Sequence, residues 1–401
     1  MELYTMKYRI SDKLSKMKPS AIREIFKSLT DPEIIAFAAG NPAPESFPQG
    51  DLAKISAEIF EKDASKALQY GITEGYPPLK AAVAKRLAER FGCSREGNGF
   101  MITSGGQQGL ELTCKVMCSE GDAVICENPS FIGALTAFRS IGAKTLGVKM
   151  DDDGMNIEEL ERTCAEHPEA KLIYVIPTFH NPAGICTSLE KRKKIYEIAK
   201  KYSLVILEDN PYGELRFDGE EIPTIKSLDT DNVVVYCGSF SKILSAGMRV
   251  GFVCAPDEIL QKMVVAKQVE DVHTNQFFQM LCAGFMEKCD LDAHISSIRA
   301  LYKEKCDLML ETLDEYMPKC VKYTRPEGGL FVWLTLPDNI ELSEFTAKCL
   351  ERKVAIVPGT AFNCDESAPS SSFRITYSTP SKEQIVRGVK ILAEVVKSYD
   401  K

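Results

Sequence analysis

The sequence predicts an α/β fold: a mostly parallel seven-stranded sheet sandwiched by helices, with a smaller α+β domain after it. Short runs rich in β-branched residues alternate with longer amphipathic stretches, which is the pattern of βα units joined into a parallel sheet. With 401 residues, the chain is long enough for two or three packed units. Near residue 290 the pattern changes to one long helix followed by shorter elements. The seven predicted strands are residues 99–103, 123–127, 144–148, 171–176, 204–209, 233–238 and 249–255.

The predicted helices alternate with these strands and continue beyond them. Amphipathic periodicity predicts helices over residues 79–91, 108–119, 131–141 and 188–202. Beyond the change in pattern we expect a long helix (290–317), two strands (328–336 and 372–377) and a closing helix (381–398). These elements divide into a large domain over residues 46–290 and a small C-terminal domain over residues 291–401.

Composition and charge argue against several classes of protein. The net charge of −8 disfavours a broad nucleic-acid surface, so an anionic ligand would need locally clustered arginine and lysine. The first residues carry no apolar signal core, and no apolar run reaches 18 residues. The 14 cysteines are scattered, and no Cys/His set has the spacing of a zinc site. We therefore expect a cytoplasmic protein with reduced thiols and no metal centre.

Five polar or glycine-rich clusters follow predicted strands, and ligands of open α/β sheets bind beyond the carboxyl ends of strands. The first cluster, residues 103–108, opens a helix with two glycines. Such a turn suits a phosphate, although a plain tight turn has the same composition. The second cluster, residues 127–131, ends in Phe131, which is either an aromatic plate for a ligand or a core residue.

The third and fourth clusters carry polar side chains. Residues 177–184 combine prolines with Asn181, whose amide can donate a hydrogen bond, and with His180. The role of His180 stays open between a turn residue and a catalytic group. Residues 208–212 follow an apolar run, so at least one carboxylate lies at the rim of a buried sheet and needs a cationic partner.

The fifth cluster places a lysine between hydroxyl residues. Lys242 follows Ser239 and Ser241, and Arg249 comes seven residues later in an apolar, glycine-containing segment. A lysine there could form an imine with an aldehyde while hydroxyls and a guanidinium hold a phosphate. The alternative is a surface loop that precedes a strand.

The order of these clusters resembles that of fold-type I enzymes of the class I/II aminotransferase family, which depend on pyridoxal 5'-phosphate (PLP). The resemblance runs from about residue 20 to the C-terminal helix. The seven-residue spacing from Lys242 to Arg249 is similar to that of the aminoadipate/kynurenine subgroup. His180, Ala183 and the pair Ser245-Ala246 depart from residues frequent in that subgroup, which leaves the substrate open. Further matching segments are residues 36–42, 68–71, 326–333 and 373–375.

The resemblance implies a role for each residue around the cofactor ring. Lys242 is the Schiff-base lysine and the proton carrier, and Asp209 is the acid beside the pyridine nitrogen. Tyr212 and Asn181 hydrogen-bond the phenolic oxygen of the ring. Phe131 stacks on the ring where the family often has tyrosine. We expect Lys242, Asp209 and Tyr212 to be the catalytic residues.

The resemblance also implies how phosphate and substrate are held. Arg374 clamps the α-carboxylate of the substrate, with Asn181 and the backbone of Gly40 beside it. Arg23 lies in an N-terminal segment, residues 1–45, that packs with the small domain and over the active site. Arg23 either meets a distal carboxylate or an aromatic ring, or it lies on an exposed helix without a role in the site. The implied phosphate ligands are Gly106, Gln107, Ser239, Ser241, Arg249 and, from the second subunit of a homodimer, Tyr70.

The expected reaction is a ping-pong transfer of an amino group to a 2-oxo acid such as 2-oxoglutarate. The donor is an L-amino acid of aromatic, branched or 2-aminoadipate-like type. We expect no nucleic-acid or membrane partner. One alternative keeps PLP but makes the protein a β-lyase acting on sulfur amino acids. Another alternative is the effector-binding domain of a PLP-dependent regulator, against which the acidic charge argues.

Overall fold

The structure, a computed structural model, describes residues 8–15, 17, 31–93 and 96–399. The predicted substrate residue Arg23 lies outside the described residues. Numbered along the chain, the strands are β1 (Ile35–Ala36), β2 (Asn98–Thr103), β3 (Ala123–Asn128), β4 (Lys144–Asp151), β5 (Gly154–Met155), β6 (Ala170–Val175), β7 (Val205–Asp209), β8 (Val234–Ser239), β9 (Gly251–Pro256), β10 (Lys322–Tyr323), β11 (Phe331–Thr335), β12 (Val354–Ala355), β13 (Val357–Pro358) and β14 (Ser372–Thr376).

The helices are amphipathic and alternate with these strands over much of the chain. In chain order they are α1 (Asp12–Ser15), α2 (Gln49–Lys62), α3 (Ala64–Leu68), α4 (Pro77–Phe91), α5 (Gly106–Met117), α6 (Ile132–Ile141), α7 (Ile157–Glu166), α8 (Leu189–Lys201), α9 (Ile225–Leu228), α10 (Asp257–Glu270), α11 (Gln276–Lys288), α12 (Leu291–Tyr316), α13 (Leu342–Glu351) and α14 (Lys382–Lys397). Within the described residues, none of these helices is long and apolar enough to cross a membrane.

The predicted α/β class is confirmed by a large mixed sheet in the order β2-β9-β8-β7-β6-β3-β4-β5. The neighbours from β8 to β4 pair in parallel, while β9 runs antiparallel to both β2 and β8. All seven predicted strands are present. The strand β5 extends the sheet at its edge, where it pairs antiparallel with β4. It has only two residues, too few for a periodic pattern to indicate it.

Helices cover both faces of this sheet, because side chains alternate along each strand. On β7, Leu207 packs in one apolar cluster with residues of α5, α6 and α10. Ile206 packs in a separate cluster with residues of α7 and α8. A parallel sheet buried on both faces explains why its strands are continuous apolar runs in the sequence.

A second, antiparallel sheet follows residue 290 in the order β10-β11-β14-β13. Most of its apolar residues share a third apolar cluster with residues of α12 and α14. The strand β1 pairs in parallel with β12. The predicted strand 328–336 begins only at Phe331. Gly329 has a φ of +75°, and a Cβ at Gly328 would collide with the ring of Phe179. The two glycines therefore form a turn under that ring instead of extending the strand.

The predicted strand 249–255 also begins two residues later, at Gly251. Arg249 has a φ of +53°, which is incompatible with an extended strand. This departure turns the chain at the edge of the cavity described next.

Candidate active site

A cavity of about 290 Å³ lies at the carboxyl ends of β6, β7 and β8, where the second sheet faces the first. Of the 14 predicted site residues, 12 line it, and they come from distant parts of the chain. These 12 are Gly40, Gly106, Gln107, Phe131, Asn181, Asp209, Tyr212, Ser239, Ser241, Lys242, Arg249 and Arg374. The other lining residues are Asn41, Leu110, Ile176, Pro211 and Phe331.

Lys242 ends the single helical turn Phe240–Lys242 that directly follows β8. The Ser239 hydroxyl begins this turn by accepting a hydrogen bond of 3.1 Å from the Ser241 N–H. At the other end, Lys242 Nζ donates a 2.7 Å hydrogen bond to the carbonyl oxygen of Gly40. The amine is thus held inside the cavity by backbone alone.

The surroundings of Lys242 favour its neutral form. Burial lowers the pKa of Lys242 to about 8, and the positive charges of Arg374 and Arg249 act in the same direction. An ordinary lysine titrates near 10.4 and is almost fully protonated at neutral pH. The lowered pKa makes Lys242 a nucleophilic amine and a usable base in the physiological range.

Asp209 is a buried carboxyl group at the end of β7. Its Oδ2 accepts a 2.8 Å hydrogen bond from Tyr174 Oη. Burial raises the pKa of Asp209 to about 7, the hydrogen bond from Tyr174 opposes this rise, and the charge of Glu127 adds to it. No ion pair joins Asp209 to a cation within the described part of the chain. A cation placed against it would relieve the cost of burying its charge.

Glu208 precedes Asp209 and points to the opposite face of the sheet, as strand alternation predicts. Its two carboxylate oxygens accept hydrogen bonds from the backbone N–H groups of Ile225 (2.9 Å) and Lys226 (2.7 Å). These bonds occupy both oxygens at the start of α9. Of the two adjacent acids, only Asp209 faces the cavity.

Arg374, on β14, joins the second sheet to the loop after β6. Its Nη1 donates a 2.7 Å hydrogen bond to Asn181 Oδ1, and its Nη2 donates one of 2.9 Å to the Ala38 carbonyl. Asn181 Nδ2 in turn lies 3.4 Å from Tyr212 Oη. Burial lowers the pKa of Arg374 to about 10, and its Nε has no hydrogen-bond partner among the described residues. A carboxylate is the natural ligand for such a guanidinium.

The glycine-rich turn before α5 forms a cradle for an anion. Gly105 has a φ of +81°, and no side chain caps the first turn of α5, so its N–H groups are free to bind an anion. A Cβ on Gly251 would lie 2.6 Å from the Gly105 carbonyl carbon and 2.7 Å from the Gly106 nitrogen. Arg249 lies beside the same turn, and it forms no ion pair with any described residue. Charge and geometry therefore favour a phosphate here.

Gln107 and Phe131 both line the cavity, and each is held by a different contact. The Gln107 side chain donates a 2.8 Å hydrogen bond to the carbonyl of Gly133, which leaves its backbone N–H as the group available to an anion. Phe131 precedes α6, and a Cβ on Gly133 would lie 2.5 Å from its ring. The missing side chain at Gly133 lets the ring lie over the first helical turn at the cavity wall.

Tyr70 is the one described residue among the 14 predicted that does not line this cavity. Tyr70 is 82% exposed, and its ring packs edge-on against His273 with a centroid distance of 5.8 Å. Its contact with the phosphate of a second subunit stays a prediction. Arg23, as stated above, lies outside the described residues.

Sequence reasoning gave no role to Tyr174, Glu127 or Phe331. Tyr174 is a polar residue in an otherwise apolar strand. Because a buried hydroxyl needs a hydrogen-bond partner, the sequence alone could have predicted that Tyr174 has one. Glu127 is fully buried, and its Oε2 lies 3.2 Å from His180 Nε2. Phe331 packs edge-on against Tyr212, and the guanidinium of Arg374 lies 4.2 Å from its ring centre. No sequence pattern indicated these pairs, since they join distant elements.

Comparison with known proteins gives the family. Residues 32–392 match the family model described as aminotransferase class I and II. The chain belongs to this family, whose members depend on PLP. It is an enzyme that transfers amino groups, an aminotransferase, and its large mixed sheet is that of fold-type I.

The relatives named here align over nearly the whole chain. Aromatic-amino-acid aminotransferase 1 of Thermococcus litoralis is 40% identical over 99% of this chain and 96% of its own length. A kynurenine aminotransferase structure from Pyrococcus horikoshii, solved in complex with PMP, shares 40% identity and a TM-score of 0.94, with 98% of each chain covered. The α-aminoadipate aminotransferase structure from Thermus thermophilus, complexed with N-(5'-phosphopyridoxyl)-L-leucine, shares 37% identity and a TM-score of 0.89, with 97% of each covered.

Proposed function

We propose that this chain binds PLP in the cavity and moves the amino group of an L-amino acid to a 2-oxo acid by a ping-pong mechanism. The observation that carries the proposal is the meeting of Lys242, Asp209 and Arg374 in one cavity. Their pKa values are shifted in complementary senses: the lysine and the arginine downward, the aspartate upward. When bound, PLP supplies an aldehyde that condenses with amines and a ring that withdraws electrons from the α-carbon.

The residues present fit each part of this cofactor. The buried carboxyl of Asp209 has no cation beside it among the described residues, and a protonated pyridine nitrogen would provide one. Two opposite charges about 4 Å apart attract by about 4 kcal/mol at an effective dielectric of 20. The turn at Gly105 and Gly106, together with Arg249, would hold the phosphate, and Phe131 would cover the ring.

Lys242 performs the proton transfer in this proposal. Its Nζ would take the proton from the α-carbon of the substrate and would then donate it to the carbon that the aldehyde of PLP contributes. The lowered pKa of about 8 allows both directions near neutral pH. The Gly40 carbonyl, 2.7 Å away, keeps the amine from rotating out of the cavity between the two transfers.

Arg374 and Asn181 orient the substrate. The guanidinium would take the α-carboxylate as a bidentate ligand through Nε, which has no partner among the described residues, and Nη2, while Nη1 keeps its bond to Asn181. Asn181 and Tyr212 would donate hydrogen bonds to the phenolic oxygen of the ring. Orientation of this kind converts binding energy into rate because the reacting atoms are held at the required distance.

For the substrate we propose an aromatic, branched or 2-aminoadipate-like amino acid with glutamate and 2-oxoglutarate as the common pair. Leu110, Ile176 and Phe331 form an apolar wall in the cavity. Of the described lining residues, the only lysines and arginines are Lys242, Arg249 and Arg374, and each already has a role. A distal carboxylate would therefore meet Arg23, which we propose as the residue that admits dicarboxylic substrates.

We also propose a homodimer in which Tyr70 completes the partner's phosphate site. Exposed apolar side chains support such an interface: Leu68, Tyr70 and Ile72 are 75%, 82% and 54% exposed, and Val265 and Val269 on α10 are 57% and 85% exposed. The packing of Tyr70 on His273, just beyond α10, joins these two groups into one surface. An apolar patch of this kind marks an association surface.

The proposed domain division follows the two sheets. Residues 46–290 would form the PLP-binding domain, and residues 291–401 the small domain, with residues 1–45 packed on the small domain and over the cavity. The pairing of β1 with β12 supports this place for the N-terminal segment. None of the 14 cysteines, all of which lie in the described residues, forms a disulfide bond, which supports a reducing, cytoplasmic compartment.

A spectral titration tests the cofactor and the reaction together. Purified protein reconstituted with PLP should show a visible band that decreases as an amino-acid donor is added, and a 2-oxo acid should restore it. Lys242→Ala should abolish turnover while part of the cofactor binding remains. A wild-type protein without a visible band after reconstitution would refute the proposal. Steady release of ammonia without an oxo-acid acceptor would contradict amino transfer.

Complementation tests the shared site. Lys242→Ala and Tyr70→Phe variants, each weakly active or inactive alone, would be mixed, unfolded and refolded together. In a mixed dimer one site has a native Lys242 and receives a native Tyr70 from the other chain. We expect activity to recover to about a quarter of wild type from statistical mixing. No recovery, with dimers shown by sedimentation, would contradict the shared site.

A further inference from the structure

Glu127 and His180 form a buried pair just outside the cavity that the proposed reaction does not use. Glu127 is the penultimate residue of β3, and His180 lies in the loop after β6. Both side chains are inaccessible to solvent, with exposures of 0% and 1%. Burying an acid and an imidazole together is costly unless their polar atoms have a structural or chemical use.

The hydrogen-bonding groups around His180 fix its tautomer. Its Nδ1 accepts a 3.2 Å hydrogen bond from the backbone N–H of Ala183, so this nitrogen carries a lone pair. The proton of the neutral ring is therefore on Nε2, which lies 3.2 Å from Glu127 Oε2. That contact is not aligned as a hydrogen bond, so its attraction is electrostatic.

Glu127 extends the connection to the end of β6. Its Oε2 also accepts a 2.8 Å hydrogen bond from the backbone N–H of Ile176. The two side chains thus tie β3 and the end of β6 to Ala183, beyond the turn. Asn181 lies in the chain between Ile176 and Ala183, directly after His180. Its side chain points away from Glu127 and into the cavity.

The geometry of Asn181 depends on this support. Its Oδ1 accepts from Arg374, and its Nδ2 faces Tyr212 at 3.4 Å. An amide that serves two partners on different elements must be held within a few tenths of an ångström. We propose that Glu127 and His180 are positioning residues that hold Asn181 between Tyr212 and Arg374. The consequences for cofactor and substrate rest on the proposed function, whereas the geometry of Asn181 can be tested without either.

His180→Leu removes both polar contacts at nearly constant volume. In a crystal structure of the cofactor-free variant, we expect Asn181 Oδ1 to leave hydrogen-bond distance of Arg374. In the PLP-loaded variant, the pH midpoint of the visible band should rise by about half a unit or more, because a hydrogen bond to the ring's phenolic oxygen is lost. The affinity for a 2-oxo acid should fall about tenfold, because Arg374 loses its partner.

His180→Gln is the rescue variant. Its amide oxygen can accept from Ala183 and its NH₂ can donate to Glu127, so the spectral midpoint and the affinity should return close to wild type. His167→Leu is the matched control, since His167 forms a similar 3.2 Å contact with Glu169 at the surface. This control should change none of the three measurements.

Each outcome decides the inference. If His180→Leu lowers only the melting temperature, with Asn181, the midpoint and the affinity unchanged, the pair is structural and the inference is wrong. If His180→Leu does not fold, His180→Asn, which stays polar but is too short to reach both partners, takes its place with the same expectations. A wild-type protein that binds no PLP would refute the proposed function, while the Asn181 geometry in the crystal would still decide this inference.

Discussion

Tyr174 Oη lies 2.8 Å from Asp209 Oδ2 and donates a hydrogen bond to it at the carboxyl ends of two central strands of the large sheet. Both residues are on neighbouring parallel strands, β6 and β7, and both face the same side of the sheet. The hydrogen bond stabilises the charged form of a carboxyl group that burial and Glu127 push toward its neutral form. The phenol of Tyr174, which does not line the cavity, therefore opposes the effect of burial on the charge of Asp209.

Tyr174→Phe should weaken this control. Without the hydrogen bond, the pKa of Asp209 should rise further above its value of about 7, so less of the carboxylate is charged at neutral pH. We expect kcat to fall about tenfold at pH 7, in line with the loss of about 1–1.5 kcal/mol, and the loss to shrink as pH rises. Initial rates measured from about pH 6 to pH 9, on both sides of the Asp209 pKa of about 7, check this prediction. Tyr323→Phe is the control, because Tyr323 donates a similar bond to Asp314 at the surface.

Asp209→Asn should stabilise the cofactor-free protein and yet destroy activity. The folded-state pKa of Asp209 is raised to about 7 from an ordinary 3.8, so the folded state binds the extra proton and stability falls as pH rises from about 4 to 7. At about pH 8 the carboxyl is ionised, and the full free-energy cost of burying its charge is present. The uncharged amide removes about 2–4 kcal/mol of this cost.

Urea unfolding of both cofactor-free proteins at about pH 5 and about pH 8 checks this sign. The advantage of Asp209→Asn should be larger at the higher pH. An equal advantage at both values would show that the carboxyl is not buried as a charged group. In the presence of PLP, the order of stability should reverse.

Arg374→Lys should separate substrate binding from cofactor binding. A lysine keeps the charge but cannot offer two parallel N–H groups to a carboxylate. The Michaelis constant for the amino donor should rise about 10–100-fold, while the affinity for PLP changes less than about twofold. Arg325→Lys is the matched control, because Arg325 pairs with Asp314 at the surface. A parallel loss of PLP affinity would argue that Arg374 holds the cofactor instead.

Arg23→Ala tests substrate breadth. We expect the Michaelis constants for glutamate and 2-oxoglutarate to rise about tenfold, because one ion pair to the distal carboxylate is lost. The constants for alanine and for an aromatic amino acid should stay within about twofold, since neither has a second carboxylate. An equal effect on alanine would defeat the role proposed for Arg23.

Much of the fold could be predicted because its signals are local. The strands of the large sheet are continuous apolar runs, and the strand β7 ends at Asp209 as the sequence predicts. The observed strands differ from the predicted ones where the backbone torsion angles exclude an extended conformation, although the residue composition favours a strand. Arg249 and Gly329 both have positive φ, and each delays the start of a predicted strand. The residue type alone does not reveal a left-handed arginine.

Most of the residues that line the cavity could be predicted from the sequence, but the contacts between them could not. Lys242 and Arg374 stand in recognisable motifs, whereas the carbonyl of Gly40 that holds Lys242 lies 202 residues away in the chain. The pair of Glu127 and His180 joins strand β3 to the loop after β6, and the sequence of neither segment indicates this contact. Such pairs arise from tertiary packing, and their energies depend on burial that a sequence does not specify.

The short stretch from Ala38 to Gly40 accepts hydrogen bonds from both Arg374 and Lys242 through its backbone oxygens. Ala38 accepts from Arg374 at 2.9 Å, and Gly40 accepts from Lys242 at 2.7 Å. Because every residue has a backbone carbonyl, these acceptors depend on where the chain runs and not on the chemistry of its side chains. Insertion or deletion of a single residue would instead shift both acceptors together. Natural variants of this enzyme should therefore keep the length of this stretch.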